Sequence, residues 1–422
     1  MILSLKIENF RSIKEPLSLK FVTEKRLQSE DLPYNTFKES DNELLRSLVI
    51  YGRNAAGKSN VIMAFNALSY LIEKSDTFKH DKKLSPYEPF LFDTKKKEKP
   101  VKFEVEFLGI DSKIKYIYSI EIGEDEIKKE SLFFYPEGVI AKLYERIENK
   151  ISYGDYYKGT KKAIEDDLLK NQLFLSKAAR NKVKYLDEVY LFFTRNLNII
   201  TVHDTEYDNI IIQSFAKLTN ENQKLKANVL ELLKAADTSI LDFNINENDI
   251  KFPEDISDKF KEKLLESFKF DIHTVHSLFE NGLEIGKTSI KLEKESFGTK
   301  KFLAIGSLIL STLDNGGIIV IDELDKGLHP LLTKLLIGLF NSKNNNPNNA
   351  QLVFATHDST LLDNDIFRRD QICFVDKEYE GGSILYKLSD IKGIRKDIPI
   401  DKWYLSGRFK AIPVTNEINL KF

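Results

Sequence analysis

One short segment of the chain restricts its fold more than any other. Its eight residues are Gly52-Arg53-Asn54-Ala55-Ala56-Gly57-Lys58-Ser59, and the apolar run 48–51 comes directly before it. Such a run predicts a buried parallel strand, and the residues after the segment predict a helix over roughly 58–73. Gly52 and Gly57 permit a tight turn between the two elements. Strand, loop and helix in this order predict a βα unit of an α/β sheet.

The same segment has the pattern of a phosphate-binding loop. Its backbone amides would form an anion site at the N-terminus of the helix. Lys58 would place positive charge on the β- and γ-phosphates, and the Ser59 hydroxyl is a hard oxygen ligand of the kind that Mg²⁺ prefers. Residues 52–59 are therefore predicted to bind ATP together with Mg²⁺.

A second segment, far along the chain, supplies two carboxylates. The apolar run 318–321 ends in Asp322 and Glu323. In open α/β sheets ligands bind at the C-terminal ends of the strands. Asp322 is therefore predicted to hold Mg²⁺ through water, and Glu323 to act as the general base of hydrolysis. The alternative interpretation is an acidic pair that only caps the helix beginning near Pro330.

Together with other segments, these motifs resemble the ABC-type ATPase heads of the SMC, RecF and OLD families. The further matching segments are Asn9-Phe10-Arg11 after a first strand, residues 295–301 before an apolar helix, Leu328-His329-Pro330, and the strand 351–358 with His357. The resemblance implies an α/β fold, an ABC-type P-loop ATPase head with a mixed central sheet, antiparallel strands and an inserted helical domain.

The C-terminal tail is similar to one subgroup of these proteins. Its segments 368–372, 404–409 and 411–413 resemble the RloA-type, OLD-like stand-alone ATPases of bacterial anti-phage and abortive-infection systems. The resemblance covers both ends of the chain and fades in the middle. It implies a defence ATPase.

The resemblance also implies an assembly. In such heads the helix after the signature segment, here Ser296, Gly298 and Thr299, points its N-terminus at the γ-phosphate held by a second subunit. The implied active unit is a homodimer with ATP sandwiched between its heads, and a higher oligomer is left open. The alternative is that residues 296–299 are an ordinary helix cap and turn.

His357 occupies the position of the switch histidine in the resemblance, which implies a contact with the γ-phosphate. A lone histidine after a strand is otherwise an ordinary core or surface residue. One part of the pattern is missing, since no glutamine occurs between Ser59 and Asn171. ABC heads often carry a glutamine there that senses Mg²⁺ and the attacking water. Glu88 is the candidate substitute, and the absence predicts slow hydrolysis.

The composition is that of an ordinary globular protein. With a formal net charge of −2, the chain as a whole does not have the charge of a nucleic-acid binder. The basic pairs and triplets at 95–97, 161–162 and 368–369 are predicted to be solvated surface charge. The single cysteine, Cys373, is predicted to be buried, and its solitary occurrence suits a reducing cytoplasm. The longest apolar stretches are too short to span a bilayer, so no membrane association is predicted.

The two halves of the site organise the chain. Residues 1–153 are predicted to form the first half of the head, and alternation over 101–107 and 114–122 predicts antiparallel strands. Residues 154–270 are predicted to be a helical insertion, without the sustained heptads of a long coiled coil. Residues 271–422 are predicted to hold the signature, the Asp322–Glu323 strand, the switch histidine and the tail.

Three functions remain compatible with these features. The first is a dimeric ATPase switch of anti-phage defence that controls a partner nuclease or toxin in trans. The second is an SMC- or RecF-like DNA-repair ATPase that binds DNA directly, and the third is the ATP-binding subunit of a membrane transporter. Nuclease activity within the chain is not expected, because its candidate acids are spread over a loop and strand ends (Asp363, Asp365, Asp370 and Asp376). The resemblance favours the first function.

Overall fold

The computed structural model describes residues 1–24, 27, 32–111, 113–181, 183–201, 205–248, 269–394 and 398–412. The chain divides into two compact units. The first unit comprises Met1–Thr201, Gly316–Glu323 and Phe340–Phe422, and the second comprises Val202–Asn315 and Leu324–Leu339. The predicted limits of a helical insertion at 154 and 270 stay a prediction.

The strands follow one another along the described chain with these bounds: β1 (Ile2–Glu8), β2 (Leu17–Lys20), β3 (Thr36–Glu39), β4 (Asn42–Leu45), β5 (Ser47–Tyr51), β6 (Val101–Leu108), β7 (Lys115–Ile122), β8 (Ile127–Phe134), β9 (Ala141–Ile147), β10 (Lys150–Tyr153), β11 (Leu197–Ile200), β12 (Ile240–Glu247), β13 (Phe270–Glu280), β14 (Leu283–Lys291), β15 (Ile318–Ile321), β16 (Gln351–Ala355), β17 (Ile372–Lys377) and β18 (Ser383–Lys387). The α-helices have these bounds: α1 (Lys58–Lys74), α2 (Lys162–Asp166), α3 (Phe174–Ala179), α4 (Leu186–Arg195), α5 (Thr205–Glu221), α6 (Gln223–Ala236), α7 (Phe297–Asn315), α8 (Pro330–Phe340) and α9 (Ile400–Leu405). None of these helices is long and apolar enough to cross a membrane.

One sheet of the first unit is mostly parallel. Its strand order is β11-β15-β16-β5-β17-β18, in which all neighbours are parallel except β17 and β18. Every residue of β5, β15 and β16 is buried. Strands covered on both faces need apolar side chains in both directions, which explains the unbroken apolar runs in the sequence. The strands predicted over 48–51 and 318–321 are confirmed.

The other large sheet of the first unit is antiparallel. Its described strands have the order β10-β9-β8-β7-β6-β1-β2. Buried and half-exposed residues alternate along β6 and β7, as expected when one face packs on the core and the other meets solvent. Cross-strand ion pairs lie on the more exposed face, among them Lys6–Glu104 at 2.6 Å and Lys129–Glu145 at 2.9 Å. The antiparallel pairing predicted for this region is confirmed.

The buried face of this sheet is organised around Glu130, whose side chain is 0% exposed. Its carboxyl oxygens accept hydrogen bonds from the hydroxyls of Tyr118 (3.0 Å) and Tyr144 (2.7 Å) and from the amides of Phe174 (2.7 Å) and Leu175 (2.9 Å). Burial, followed by the nearby Glu130, raises the pKa of both tyrosines well above its usual value. These bonds join the first turn of α3 to the middle of the sheet.

The described part of the second unit contains a small antiparallel sheet, the helices α5, α6 and α7, and most of α8. The described strands of this sheet have the order β12-β13-β14, and α5, α6 and α7 pack together. Phe215, Phe243 and Leu303 belong to the shared hydrophobic core. The segment between 154 and 270, which was predicted to be helical, contains the helices α2 to α6, and β11 and β12 show that it also contains strands.

The described part of the C-terminal tail packs against the parallel sheet within the first unit. The ring of Tyr404 in α9 stacks on Phe374 at 5.8 Å between centroids and lies 5.7 Å from Tyr51. The Tyr386 hydroxyl donates to the carbonyl of Phe409. Tyr51 is the last residue before the glycine-bounded loop, so the tail supports the strand that carries this loop.

Two sequence predictions about single residues have different outcomes. Cys373 is buried, as predicted. The prediction that Arg368 is solvated surface charge is wrong, because its side chain is 3% exposed and pairs with the buried Asp370 at 3.1 Å. A basic dipeptide at a strand entrance does not show in sequence that a carboxylate two residues later will neutralise it.

Candidate nucleotide-binding site

The loop between β5 and α1 is held in close contact with its neighbours. Gly57 is the N-cap of α1 and has a φ of 114°, a left-handed conformation that glycine adopts without strain. A Cβ on Gly52 would collide with the carbonyl oxygen of Val375, and a Cβ on Gly57 would collide with the hydroxyls of Ser383 and Ser12. Both glycines of the predicted motif are therefore required by close approach of the surrounding chain.

This loop borders a cavity of 730 Å³, a size typical of small-molecule sites. The cavity is lined by Ser12, Asn54, Ala55, Gly57, Lys58, Ser59, Asn60, Glu323, His357 and Lys377. The structure thus brings together the loop, the second carboxylate of the acidic pair and the histidine, which lie far apart in the sequence.

Lys58 lies in the first turn of α1 with only 6% of its surface exposed. Its Nζ donates to the carbonyl oxygens of Gly52 at 2.9 Å and of Arg53 at 3.5 Å. These bonds hold the ammonium group across the loop, beside the backbone amides of the helix N-terminus. An anion that enters the cavity would meet both the amides and this charge.

Asp322 and Glu323 follow the last residue of β15. Asp322 is 8% exposed, and its amide donates to the carbonyl of Ile200 at 2.9 Å. Its side chain is not part of the cavity lining. Glu323 is half-buried, lines the cavity, and has a φ of 50°. A non-glycine residue in this conformation is uncommon and often marks a functional site.

The alternative interpretation of the acidic pair was a cap for the following helix. At the start of α8 the amide of Leu331 donates to Nδ1 of His329 at 3.2 Å. A different side chain therefore caps this helix, which weighs against the capping interpretation.

His357 follows β16, between the strand that carries the acidic pair and the strand that carries the loop. The amide of Thr356 donates to the carbonyl of Ile50 at 3.2 Å, and the Tyr51 hydroxyl donates to the carbonyl of Asp358 at 3.1 Å. These two bonds fix the chain on either side of His357, whose exposed side chain lines the cavity.

The cavity lining does not include three residues of the predicted loop, which are Gly52, Arg53 and Ala56. Arg53 turns toward β17, where its Nε lies 3.2 Å from Oδ1 of Asp376 and its Nη2 donates to the carbonyl of Lys377 at 3.2 Å. The side chain of Arg53 thus bonds the loop to a neighbouring strand.

Three residues that line the cavity, Ser12, Asn60 and Lys377, were not singled out from the sequence. Asn60 donates to the hydroxyl of Ser12 at 2.6 Å, and Ser383 donates to the carbonyl of Ala56 at 2.5 Å. Lys377 is the last residue of β17. The available signal was position, because Ser12 follows the Asn9-Phe10-Arg11 segment and Lys377 ends a strand that is parallel to β5.

Glu88, the candidate substitute for the missing glutamine, lies beside this region without lining the cavity. Its Oε1 lies 2.9 Å from Nη2 of Arg11, whose Nη1 is 3.5 Å from the side-chain oxygen of Asn60. Glu88 is thus linked to the cavity through two other side chains. Its role as a sensor stays a prediction.

The predicted signature residues lie in the second unit, at the start of α7. The Ser296 hydroxyl accepts a hydrogen bond from the amide of Thr299 at 3.0 Å and lies 2.8 Å from the Thr299 hydroxyl. A Cβ on Gly298 would lie 3.3 Å from the carbonyl oxygen of Gly327. This is the local geometry of a helix cap, which both interpretations of the segment require. A contact with a second subunit stays a prediction.

Three of the four acids that a nuclease would need have other partners. Asp370 pairs with Arg368, Asp376 pairs with Arg53, and Asp363 accepts a bond from the amide of Asp365. Across the described residues, no three His, Cys, Asp or Glu side chains form a cluster that could hold a metal ion. Mg²⁺ bound with a nucleotide needs only one or two protein oxygens, and Ser59 and Asp322 fit that requirement.

A mostly parallel sheet, a glycine-bounded loop before α1 and an acidic strand end beside a shared cavity are the features of a P-loop ATPase head. The sequence profile of the family described as "AAA domain, putative AbiEii toxin, Type IV TA system" matches residues 47–363. The chain belongs to this family. The predicted fold class, α/β with an ABC-type P-loop ATPase head, is confirmed. A comparison with curated protein sequences gave no match.

Several solved structures of SMC heads are similar to this chain at low identity. An SMC head bound to the C-winged helix domain of ScpA is 14% identical, with a TM-score of 0.42 over 92% of this chain and 97% of that one. The SMC head domain from Thermotoga maritima is 14% identical, with a TM-score of 0.40 over 92% and 98%. An SMC head with an extended coiled coil, bound to the C-terminal domain of ScpA derived from Pyrococcus furiosus, is 13% identical, with a TM-score of 0.43 over 92% and 96%.

Proposed function

We propose that the cavity binds ATP with Mg²⁺ and that the protein hydrolyses the nucleotide slowly. The observation that carries this proposal is the meeting of Lys58, Ser59, Glu323 and His357 around one cavity. Membership of an AAA-domain family supports it. The loop amides and Lys58 would hold the β- and γ-phosphates, and bound Mg²⁺ would neutralise charge on their oxygens.

In this proposal each side chain has a distinct task. Ser59 and Asp322 would hold Mg²⁺, the former directly and the latter through water. Glu323 would accept a proton from the attacking water, and its unusual backbone conformation aims the carboxylate into the cavity. His357 would contact the γ-phosphate. The absent glutamine supports a slow turnover.

We further propose that the active unit is a homodimer with ATP between its heads. Ser296, Gly298 and Thr299 of one subunit would face the γ-phosphate bound by the other. The small residues Ser296, Gly298 and Thr299 support this, because their short side chains leave room for a phosphate to approach the start of α7. ATP would then determine whether the two subunits are held together.

The proposed biological role is an RloA-type, OLD-like switch in anti-phage defence. The family description reads "putative AbiEii toxin, Type IV TA system", which supports a place in a system that includes a toxin. Two of the acids that could have served a nuclease, Asp370 and Asp376, take part in ion pairs within the chain, which supports an effector that acts in trans. The partner would be a nuclease or toxin that responds to the nucleotide state.

A substitution of the proposed general base tests the chemistry. The Glu323→Gln protein should bind ATP and hydrolyse it about a hundred to ten thousand times more slowly than the parent, the usual contribution of a general base. It should also accumulate as an ATP-bound dimer in sedimentation experiments. Glu137→Gln, at an exposed position, is the control and should match the parent. Parental hydrolysis by Glu323→Gln would show that another group is the base.

A pull-down from the native host, with ATP and without it, tests the role. Retention of a nuclease or toxin in only one nucleotide state is the expected result. A homodimer that retains no such partner and binds DNA instead would favour the DNA-repair ATPase. Affinity for DNA in that case should fall steeply with salt, because phosphate contacts release counterions.

A further inference from the structure

We propose that Lys377 is a nucleotide-binding residue that contacts the α-phosphate, on the opposite side of the loop from the γ-phosphate. This inference rests on the proposed function, since it assigns a further contact within the same cavity. No motif in the sequence points to Lys377, and its position in the sheet supplies the argument.

The order of the parallel strands places the site residues in a row. Along the edge where these strands end, Glu323 follows β15, His357 follows β16, the loop follows β5, and Lys377 ends β17. The registers confirm neighbouring ends, since Ile321 is opposite Phe354, Ala355 is opposite Ile50, and Tyr51 is opposite Phe374.

This row gives the bound nucleotide a direction. Glu323 and His357 lie on one side of the loop and are assigned to the γ-phosphate and its attacking water. Lys377 lies on the other side, where the remainder of the nucleotide must extend. The phosphate nearest the ribose is the anionic group at that end.

The hairpin formed by β17 and β18 is hydrogen-bonded to the loop from both of its strands. The carbonyl of Lys377 accepts the bond from Arg53, and Lys377 pairs across the hairpin with Ser383, whose hydroxyl donates to Ala56. A residue held at both of these points cannot shift relative to the loop without breaking hydrogen bonds. Its half-buried side chain lines the cavity.

Several of the charges near Lys377 are already paired with one another. Arg53 pairs with Asp376, and Lys14 pairs with Asp93 at 3.0 Å and with Glu380 at 2.5 Å. No carboxylate among the described residues forms an ion pair with Lys377. An ammonium group at the cavity wall, without a protein counterion, is available to a phosphate oxygen.

The test compares the dissociation constants of ATP and ADP for Lys377→Met, measured by titration calorimetry. We expect both to rise by the same factor, about tenfold, as for the loss of a charge-assisted hydrogen bond. His357→Ala should instead weaken the binding of ATP more than the binding of ADP. Lys377→Arg should retain most of the affinity, and Lys95→Met, at an exposed position, is the matched control.

Two results would overturn the assignment while leaving the proposed function intact. One is parental affinity of Lys377→Met for both nucleotides, with unchanged thermal unfolding. The other is a loss confined to ATP, which would make Lys377 a γ-phosphate contact. A parent protein that binds neither nucleotide would overturn the proposed function and, with it, this assignment.

Discussion

The two large sheets of the first unit use polar groups in different ways. In the parallel sheet, β5, β15 and β16 are wholly buried, and the chemical groups come after the strands end. In the antiparallel sheet a carboxyl group, Glu130, lies in the middle of a strand, where four hydrogen bonds satisfy it. A polar group inside a sheet must be satisfied by the protein, whereas one at a strand end is accessible to a ligand. We therefore expect the antiparallel sheet to govern stability and the edge of the parallel sheet to govern binding.

The largest expected effect is on the antiparallel sheet. Glu130→Ala should lower the free energy of unfolding by about 3–5 kcal/mol, because it leaves two buried hydroxyls and two amides without their common acceptor and Arg146 without the carboxylate 4.0 Å away. Urea denaturation measures this loss. Any folded Glu130→Ala protein should still bind ATP with parental affinity.

The control for this substitution is Glu145→Ala on the same sheet. Glu145 pairs with Lys129 at 2.9 Å, and the side chains are 25% and 39% exposed. Its removal should cost less than about 1 kcal/mol, as for other exposed pairs. Equal losses of unfolding free energy for the two variants would show that the buried hydrogen bonds of Glu130 stabilise the sheet no more than an exposed ion pair does.

At the edge of the parallel sheet the expected effect is on binding. Lys58→Ala should weaken ATP binding at least about a hundredfold, because it removes the charge that is proposed to face two phosphates. Its free energy of unfolding should change by less than about 1 kcal/mol, since the substitution also removes a buried ammonium group. Lys74→Ala, in the last turn of the same helix, is the control and should bind ATP normally. Parental affinity of Lys58→Ala would contradict the proposed site.

The buried thiol of the parallel sheet predicts a dependence of stability on pH. Burial raises the pKa of Cys373 from 9.0 to about 11. Between these values the unfolded chain loses the thiol proton while the folded chain retains it. Its contribution is therefore fully present below pH 9 and is lost as the pH rises through 11, by up to about 3 kcal/mol.

Denaturation at several pH values between 8 and 11 measures this contribution. Lysines and tyrosines titrate in the same range, so the informative quantity is the difference in slope between the parent and Cys373→Ala. Identical slopes would indicate that water reaches the thiol in the folded protein.

The smallest expected effect concerns the exposed face of the antiparallel sheet. The side chains of Lys6 and Glu104 are 50% and 33% exposed, so solvent screens the ion pair between them. A double-mutant cycle with Lys6→Ala and Glu104→Ala should give a coupling energy of at most about 0.5 kcal/mol, and salt should reduce it. A coupling above about 1 kcal/mol would mean that this face is less solvated than its exposure indicates.

Sequence reasoning was most successful where a local pattern and its physical cause lie in the same few residues. The loop around Lys58 and the strand before Asp322 are of this kind, because glycine spacing and unbroken apolar runs are visible without tertiary structure. Lys377 and Ser12 have no such pattern. They reach the cavity only because β17 and the segment after β1 pass beside the loop.

The partners of buried charged groups were equally invisible. Glu130 lies in a strand with charged neighbours, a pattern that is typical of an exposed residue. Its hydrogen-bond partners nevertheless come from β7, β9 and the start of α3. Arg368 was predicted as surface for the same reason. Sequence gives the charge of such a residue, whereas its burial depends on which distant segments fold over it.

The sequence by itself determined the βα unit, its phosphate-binding loop and the strand that ends in two acids, since these follow from local spacing and hydrophobicity. Tertiary structure alone decided which side chains share the cavity, and on which side of the loop each one lies. The physical reason is the strand order. Parallel pairing brings the ends of β15, β16, β5 and β17 to one edge, and that order cannot be read from the order of these strands along the chain.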